Sequence, residues 1–64
     1  MEDLQYAVEE WTADNATRLE VIARAGIVSV AWSAFWAALA ARPKARIVLR
    51  QKAHELANRG PRGS

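Results

Sequence analysis

Residues 4–25 read LQYAVEEWTADNATRLEVIARA, and this stretch decides the fold. Apolar and polar side chains alternate with a period of two at its start and again from Arg18 onward, a pattern typical of β-strands with one buried face. The apolar side chains of the first run share one face: Leu4, Tyr6 and Val8. Between the runs, Asp14 and Asn15 tolerate the positive φ of a tight turn. The pattern predicts an antiparallel hairpin.

A two-residue loop at Asp14 and Asn15 fixes the register of this hairpin. Such a loop aligns the apolar faces of the two strands, whereas a shift by one residue would mix apolar and charged side chains. The predicted pairs on the apolar face are Leu4 with Ala25, Tyr6 with Ala23, and Val8 with Val21. The same register pairs Trp11 with Arg18, and it places Glu9 opposite Glu20, an unfavourable like-charge pair.

An alanine-rich stretch without a charge follows over residues 25–41. Ser29 is expected to cap a helix of roughly 13 residues, which Arg42 and Pro43 end. The apolar stripe at helical spacing is expected to cover the hairpin: Val28, Ala31, Trp32, Phe35 and Leu39. The opposite side has small residues at four-residue spacing, where surface helices ordinarily carry Lys and Glu: Ser29, Ser33, Ala37 and Ala41.

Alternation returns after Pro43. Residues 46–50, RIVLR, predict a third strand with Ile47 and Leu49 facing the helix. Residues 51–59 are helix-tolerant and precede a Gly-Pro helix stop. The sequence therefore predicts one α+β domain over residues 1–59, built as hairpin, main helix packed on the sheet, third strand and short C-terminal helix (ββαβα). Residues 60–64 are predicted to be a disordered tail.

Length and composition limit the chemistry. A chain of 64 residues buries only about 60% of its unfolded surface and leaves a stability of about 3–5 kcal/mol. The absence of cysteine excludes disulfides and thiol catalysis, and His54 is the one histidine. No nucleophile–base pair and no glycine-rich phosphate loop can be assembled. We therefore expect no enzyme activity, no cofactor and no metal site, and we expect oligomerisation to supply the missing stability.

The uncharged helix exterior favours a non-enzymatic interaction module that forms a homodimer or binds another protein. The candidate interface on the helix is Ser33, Trp36, Ala37 and Ala41, and the open face of the sheet is the alternative surface for the dimer. The N-terminus, Met1 to Asp3, lacks the basic and apolar regions of a secretory signal, so a cytoplasmic location is expected.

Two other functions stay open. If the helix covers one side of the sheet, basic side chains and one tryptophan share the other side, which suits nucleic-acid binding: Trp11, Arg18, Arg24, Arg46, Arg50 and Lys52. Alternatively, residues 25–41 are predicted to form a single membrane span, because this stretch carries no charge. The segment before it is acidic and the segment after it is basic, which suits a span with its N-terminus outside.

Residues 21–53, VIARAGIVSVAWSAFWAALAARPKARIVLRQKA, resemble a group of small uncharacterised bacterial proteins. The shared pattern is A-F-x-A-A followed by R-P-x-A-R-I-x-L-R-Q, and it ends here at Gln51. The resemblance implies a ββαβ-like fold and a bacterial origin, and it implies no function. After the glutamine those proteins tend to have Gly-Ala-Arg-Val-Ile, whereas this chain has KAHEL at 52–56.

Overall fold

A computed structural model describes residues 4–61. The elements in chain order are β1 (Tyr6–Trp11), β2 (Arg18–Ala25), α1 (Val28–Ala41), β3 (Arg46–Gln51) and β4 (His54–Arg59). The strands form one sheet in the order β2-β1-β3-β4, and every neighbouring pair is antiparallel. The α+β class, the hairpin, the main helix and the third strand are confirmed.

The helix covers one face of this sheet. Because β1 lies between β2 and β3 in the sheet, the connection from β2 through α1 to β3 crosses over β1. Phe35, Ile47 and Leu49 are completely buried between the layers. The inward orientation predicted for the third strand is therefore confirmed. The core also includes Val8, Ala25, Ala31, Ala38 and Leu39.

The helix begins earlier than the sequence predicts. Its N-cap is Ile27, which has extended dihedral angles and no side-chain capping bond, so the prediction of Ser29 as the cap is wrong. The Ile27 carbonyl already accepts the first helical bond from the Ala31 N–H at 3.0 Å, which places Ser29 inside the first turn. At the other end the Arg42 N–H donates to the Ala38 carbonyl, and the helix stops before Pro43, as predicted.

The hairpin register is as predicted beside the loop and wrong beyond it. Trp11 pairs with Arg18, but irregularities at two points leave Leu19 and Ile22 of β2 without a cross-strand partner. The pairs further along are Tyr6 with Ala25, Val8 with Ala23, Glu9 with Val21, and Glu10 with Glu20. Each bulge shifts the pairing by one residue, so two bulges return Ala23 and Ala25 to the helix side. Between the two bulges, Glu20 and Val21 face the sides of the sheet opposite to those predicted.

The loop itself is wider than two residues. The Thr12 N–H donates to the Thr17 carbonyl at 2.8 Å, and the Asn15 N–H donates to the Thr12 carbonyl at 2.8 Å. Asn15 has a φ of 65°, in the left-handed region that asparagine tolerates. The left-handed conformation expected in the loop is found at Asn15 and not at Asp14, and the predicted two-residue loop is wrong.

The predicted C-terminal helix is wrong, because the segment forms β4. Gln51 pairs with His54 across a two-residue turn in which Lys52 has a φ of 53°. Pairing with β4 satisfies the outer N–H and C=O groups of β3, a strand with a buried centre, and it brings Ala57 against the core. Gly60 and Pro61 follow β4 without regular structure, and the rest of the predicted tail, residues 62–64, lies outside the described residues.

Candidate functional site

Two surfaces on opposite sides of the molecule hold the candidate residues. The first is the outer face of α1, defined here as the exposed residues of the helix and its N-cap: Ile27, Val28, Ser29, Val30, Ser33, Trp36, Ala37, Ala40 and Ala41. All four residues of the predicted helix interface belong to it. None of the nine carries a charge, so the structure leaves a continuous uncharged face toward solvent.

Large apolar side chains lie within this face. Ile27 is 55% exposed, Val30 52% and Trp36 49%. The helix also has no acidic residue in its first turn and no basic residue in its last. Within Val28–Ala41, therefore, no side-chain charge compensates the macrodipole, and the cation at its C-terminal end is the C-cap residue Arg42.

Trp36 is held at the rim of the outer face by aromatic contacts. Its ring stacks on Trp32 at a centroid distance of 6.1 Å and meets the edge of Phe35 at 5.2 Å. The Arg59 guanidinium lies over the same indole at 5.6 Å. Trp36 and Arg59 line a cavity of about 280 Å³ with Leu39, Ala40 and Gly60. The exposed tryptophan is thus anchored to the core.

The second surface is the open face of the sheet, which α1 does not cover. Three rows of side chains cross it, each centred on a residue of β1. The rows are Arg24–Ala7–Arg50, Val21–Glu9–Val48 and Arg18–Trp11–Arg46. Because alanine is small, the first row leaves a depression between its two arginines.

A groove of about 530 Å³ runs along this face. Its lining includes five of the six residues of the predicted nucleic-acid face, together with one carboxylate: Trp11, Arg18, Arg24, Arg50, Lys52 and Glu9. Bulged β2 still delivers Arg18 and Arg24 to this side, since each is registered with an outward residue of β1. The structure brings these five residues together along one groove.

Arg46 belongs to the same face, but its guanidinium does not line the groove. Its Nε donates to the Ala13 carbonyl at 3.1 Å and one terminal nitrogen donates to Asn58 Oδ1 at 2.6 Å. Gly60 packs beside it, where a Cβ would come within 3.0 Å of the guanidinium. Arg46 therefore ties the β1–β2 loop to β4.

Glu9 is the site residue that sequence reasoning missed. Period two places it on the open face, where a solvated or arginine-paired side chain is expected, yet it is only 4% exposed. Trp11 Nε1 donates to Oε1 at 2.9 Å, and an Arg18 terminal nitrogen lies 3.4 Å from Oε2. Arg50 Nε is 3.9 Å from Oε1. The one feature of the sequence that points to the ion pairing of Glu9 is the set of basic residues predicted on the same face.

A separate polar cluster, formed by Arg42, Glu10 and Glu20, connects the end of α1 to the hairpin. One terminal nitrogen of Arg42 donates to Glu10 Oε1 at 2.6 Å and to Glu20 Oε1 at 2.7 Å. The hydrogen bonds that Arg42 donates to Glu20 and Glu10 raise the pKa of its guanidinium above the ordinary value. The predicted Glu9–Glu20 pair is replaced by Glu10–Glu20 because of the bulges, and Arg42 bridges it. Glu20 consequently leaves the open face.

Among residues 4–61, no group of three or more His, Cys, Asp and Glu side chains is close enough to hold a metal ion. His54 is exposed at the start of β4. Over the same part of the chain, no helix has the length and apolar character needed to cross a bilayer.

Comparison with protein-family models, with curated proteins and with solved structures finds no match to this chain.

Proposed function

We propose that this chain is a non-enzymatic interaction module that forms a homodimer through the outer face of α1. The observation that carries the proposal is the continuous uncharged surface there, with Ile27, Val30 and Trp36 about half exposed. Exposed apolar surface of this kind marks an interaction site in proteins that function in water. Oligomerisation also gives a small core additional buried surface.

A second copy of the chain fits this face because the small-residue stripe is symmetric. A twofold axis midway between Ser33 and Ala37 would place Ser33 of one copy against Ala37 of the other. The same axis would place Ser29 of one copy against Ala41 of the other. The two helices would run antiparallel, and small side chains at the crossing allow helix axes about 8 Å apart.

The helix ends support the same arrangement. In an antiparallel pair, each N-terminus lies beside the C-terminus of the other helix, so the two macrodipoles compensate one another. That compensation is the one α1 lacks from its own side chains.

Sedimentation equilibrium between about 1 and 100 µM tests the proposal. We expect a reversible dimer, and we expect Ala37→Glu to weaken it at least about tenfold, because the new charge is buried at the crossing. The matched control is Ala53→Glu, which adds the same charge at an exposed alanine in the β3–β4 turn.

A second substitution tests the direction of the helices. Ser33→Lys added to Ala37→Glu restores the antiparallel dimer, since each lysine then meets a glutamate of the second copy. In a parallel dimer like residues would meet, and no rescue would follow. A folded monomer at 100 µM overturns the proposal.

The alternative of a membrane span over residues 25–41 stays a prediction, and recovery of the chain only in detergent would favour it.

A further inference from the structure

We propose that the groove on the open face of the sheet binds single-stranded nucleic acid, with a base stacked on Trp11 and phosphates bound by Arg24, Arg50 and Lys52. This site is on the opposite side from α1 and is independent of dimer formation through that helix. The proposal rests on the aromatic ring, on the charges that surround it and on the shape of the groove.

The indole of Trp11 is fixed in place before any ligand arrives. It lies half-buried at one end of the groove, and its Nε1 donates to the buried carboxylate of Glu9 at 2.9 Å. The Arg50 guanidinium is 5.9 Å from the ring centroid. A ring held in this way loses little entropy when a base stacks on it, and stacking of this kind accepts any base.

The carboxylate in the groove does not repel an anion in the way that an exposed one would. Both oxygens of Glu9 are engaged, by Trp11 and Arg50 on one side and by Arg18 on the other, and the side chain is buried at the floor. Among the described residues that line the groove, four basic side chains surround this one carboxylate. The described part of the lining therefore has more positive than negative charges.

Among the basic residues that line the groove in the described part of the chain, Arg24 is the one most available to a ligand. Its side chain is exposed, and within residues 4–61 it has no hydrogen bond or ion pair. Its Cα faces that of Arg50 across Ala7, beside the depression where the alanine leaves space, and the Arg50 side chain reaches from there toward Glu9 and the Trp11 ring. Lys52 lines the same end of the groove. This end is suited to phosphate, whereas the Trp11 end is suited to a base.

The dimensions fit a short single strand. The rows centred on Ala7 and Trp11 are four residues apart on β1, about 13 Å at the rise of a β-strand. The groove volume of about 530 Å³ lies in the range of small-ligand clefts. Internal bases of a duplex are stacked on both faces, so none of them can stack on Trp11 without leaving its pair. An acidic peptide could meet the cations, but it has no base to place on the indole.

Fluorescence anisotropy with a labelled 12-nucleotide oligothymidylate in about 50 mM salt tests the proposal. Trp11→Leu is expected to weaken binding about tenfold, and Arg24→Ala about fivefold. The matched control, Arg59→Ala, removes the same charge from the helix side of the sheet and is expected to change the Kd less than about twofold. Arg24→Ala should also lower the slope of log Kd against log salt by about one.

The competitors decide the ligand class. We expect the unlabelled single strand to displace the probe at least about tenfold better than a duplex of equal length or poly-glutamate. Equal losses in Arg24→Ala and Arg59→Ala would show that only net charge matters and would overturn the proposal. Equal competition by poly-glutamate, or no binding by the native protein, would also overturn it. If Trp11→Leu does not fold, the Arg24→Ala variant still tests the proposal, because Arg24 is exposed and its replacement leaves the core unchanged.

Discussion

Glu9 shows how one residue can organise an uncovered sheet face. Charged side chains on such faces usually extend into water. Here the neighbouring valines in the sheet, Val21 and Val48, are too short to cover the carboxylate, and longer side chains from Trp11, Arg18 and Arg50 reach its oxygens instead. The carboxylate thereby determines where the indole lies.

Replacement of Glu9 is therefore expected to destabilise the protein. In Glu9→Ala the Trp11 N–H loses its acceptor and two arginines lose their common partner, which should lower the free energy of unfolding by about 2 kcal/mol. The control Glu55→Ala removes an exposed carboxylate from β4 and should cost less than about 0.5 kcal/mol. Urea denaturation followed by circular dichroism measures both. Equal losses would contradict this role of Glu9.

Asp14 gives the hairpin loop a dependence on pH. Its Oδ1 accepts hydrogen bonds from the Thr12 hydroxyl at 2.6 Å and from the Ala16 N–H at 3.0 Å, and these lower the pKa of the carboxyl below its usual value of 3.8. A carboxyl with a lowered pKa stabilises the fold above its unfolded-state pKa, and this contribution is lost as the pH falls through the folded-state pKa.

We expect the Asp14 carboxyl to titrate below pH 3.8 in an NMR titration of its side-chain carbon. Stability measured in urea should fall as the pH is lowered from 3.8 through that midpoint. The fall should be smaller in Asp14→Asn, which keeps an acceptor oxygen but has no proton to bind. A midpoint at or above 3.8 would show that the Thr12 and Ala16 bonds do not favour the charged form.

At the scale of elements, the sequence predicts the helices and strands that follow from the spacing of apolar residues alone. The first strand, the uncharged helix and the third strand each have a pattern that only one element satisfies. The register of β2 could not be predicted in the same way. A count with period two assumes one partner for each residue, and the bulges at Leu19 and Ile22 break that assumption.

The final strand could not be predicted from local pattern either. Residues 54–59, HELANR, have weak β-propensity, and a helix of this composition is acceptable by itself. The outcome is decided by the unpaired edge of β3, a contact that local pattern does not reveal. For the candidate site, the alternation grouped Trp11 with the arginines correctly. It could not show that Arg46 turns away or that Glu9 is buried.

A glycine at position 52 tests the β3–β4 turn. Lys52 adopts a φ of 53°, which is unfavourable for a residue with a Cβ, so Lys52→Gly should raise the free energy of unfolding by about 0.5 kcal/mol. If the segment were helical, the same change would lower it by about 1 kcal/mol. The control is Ala53→Gly, at the other turn position, which should not stabilise. Thermal unfolding distinguishes the two signs.

At the scale of the whole molecule, the two surfaces face in opposite directions. The helix layer separates the uncharged outer face of α1 from the groove on the sheet. A dimer formed through α1 would place the two sheets outside and both grooves toward solvent. A dimer formed through the sheets would instead close the grooves against each other. The position of the sheets in the dimer therefore decides between the two interfaces that the sequence leaves open.

Because the chain has no cysteine, one introduced cysteine can be spin-labelled specifically. With a label at Glu55→Cys, on the open face of β4, electron–electron double resonance measures the distance between the two sheets. We predict about 30 Å or more, because two helix layers of about 10–12 Å each and both sheets lie between the labels. A distance of about 20 Å or less would place the sheets face to face and contradict the proposed interface, and the absence of any dipolar coupling at 100 µM would contradict the dimer itself.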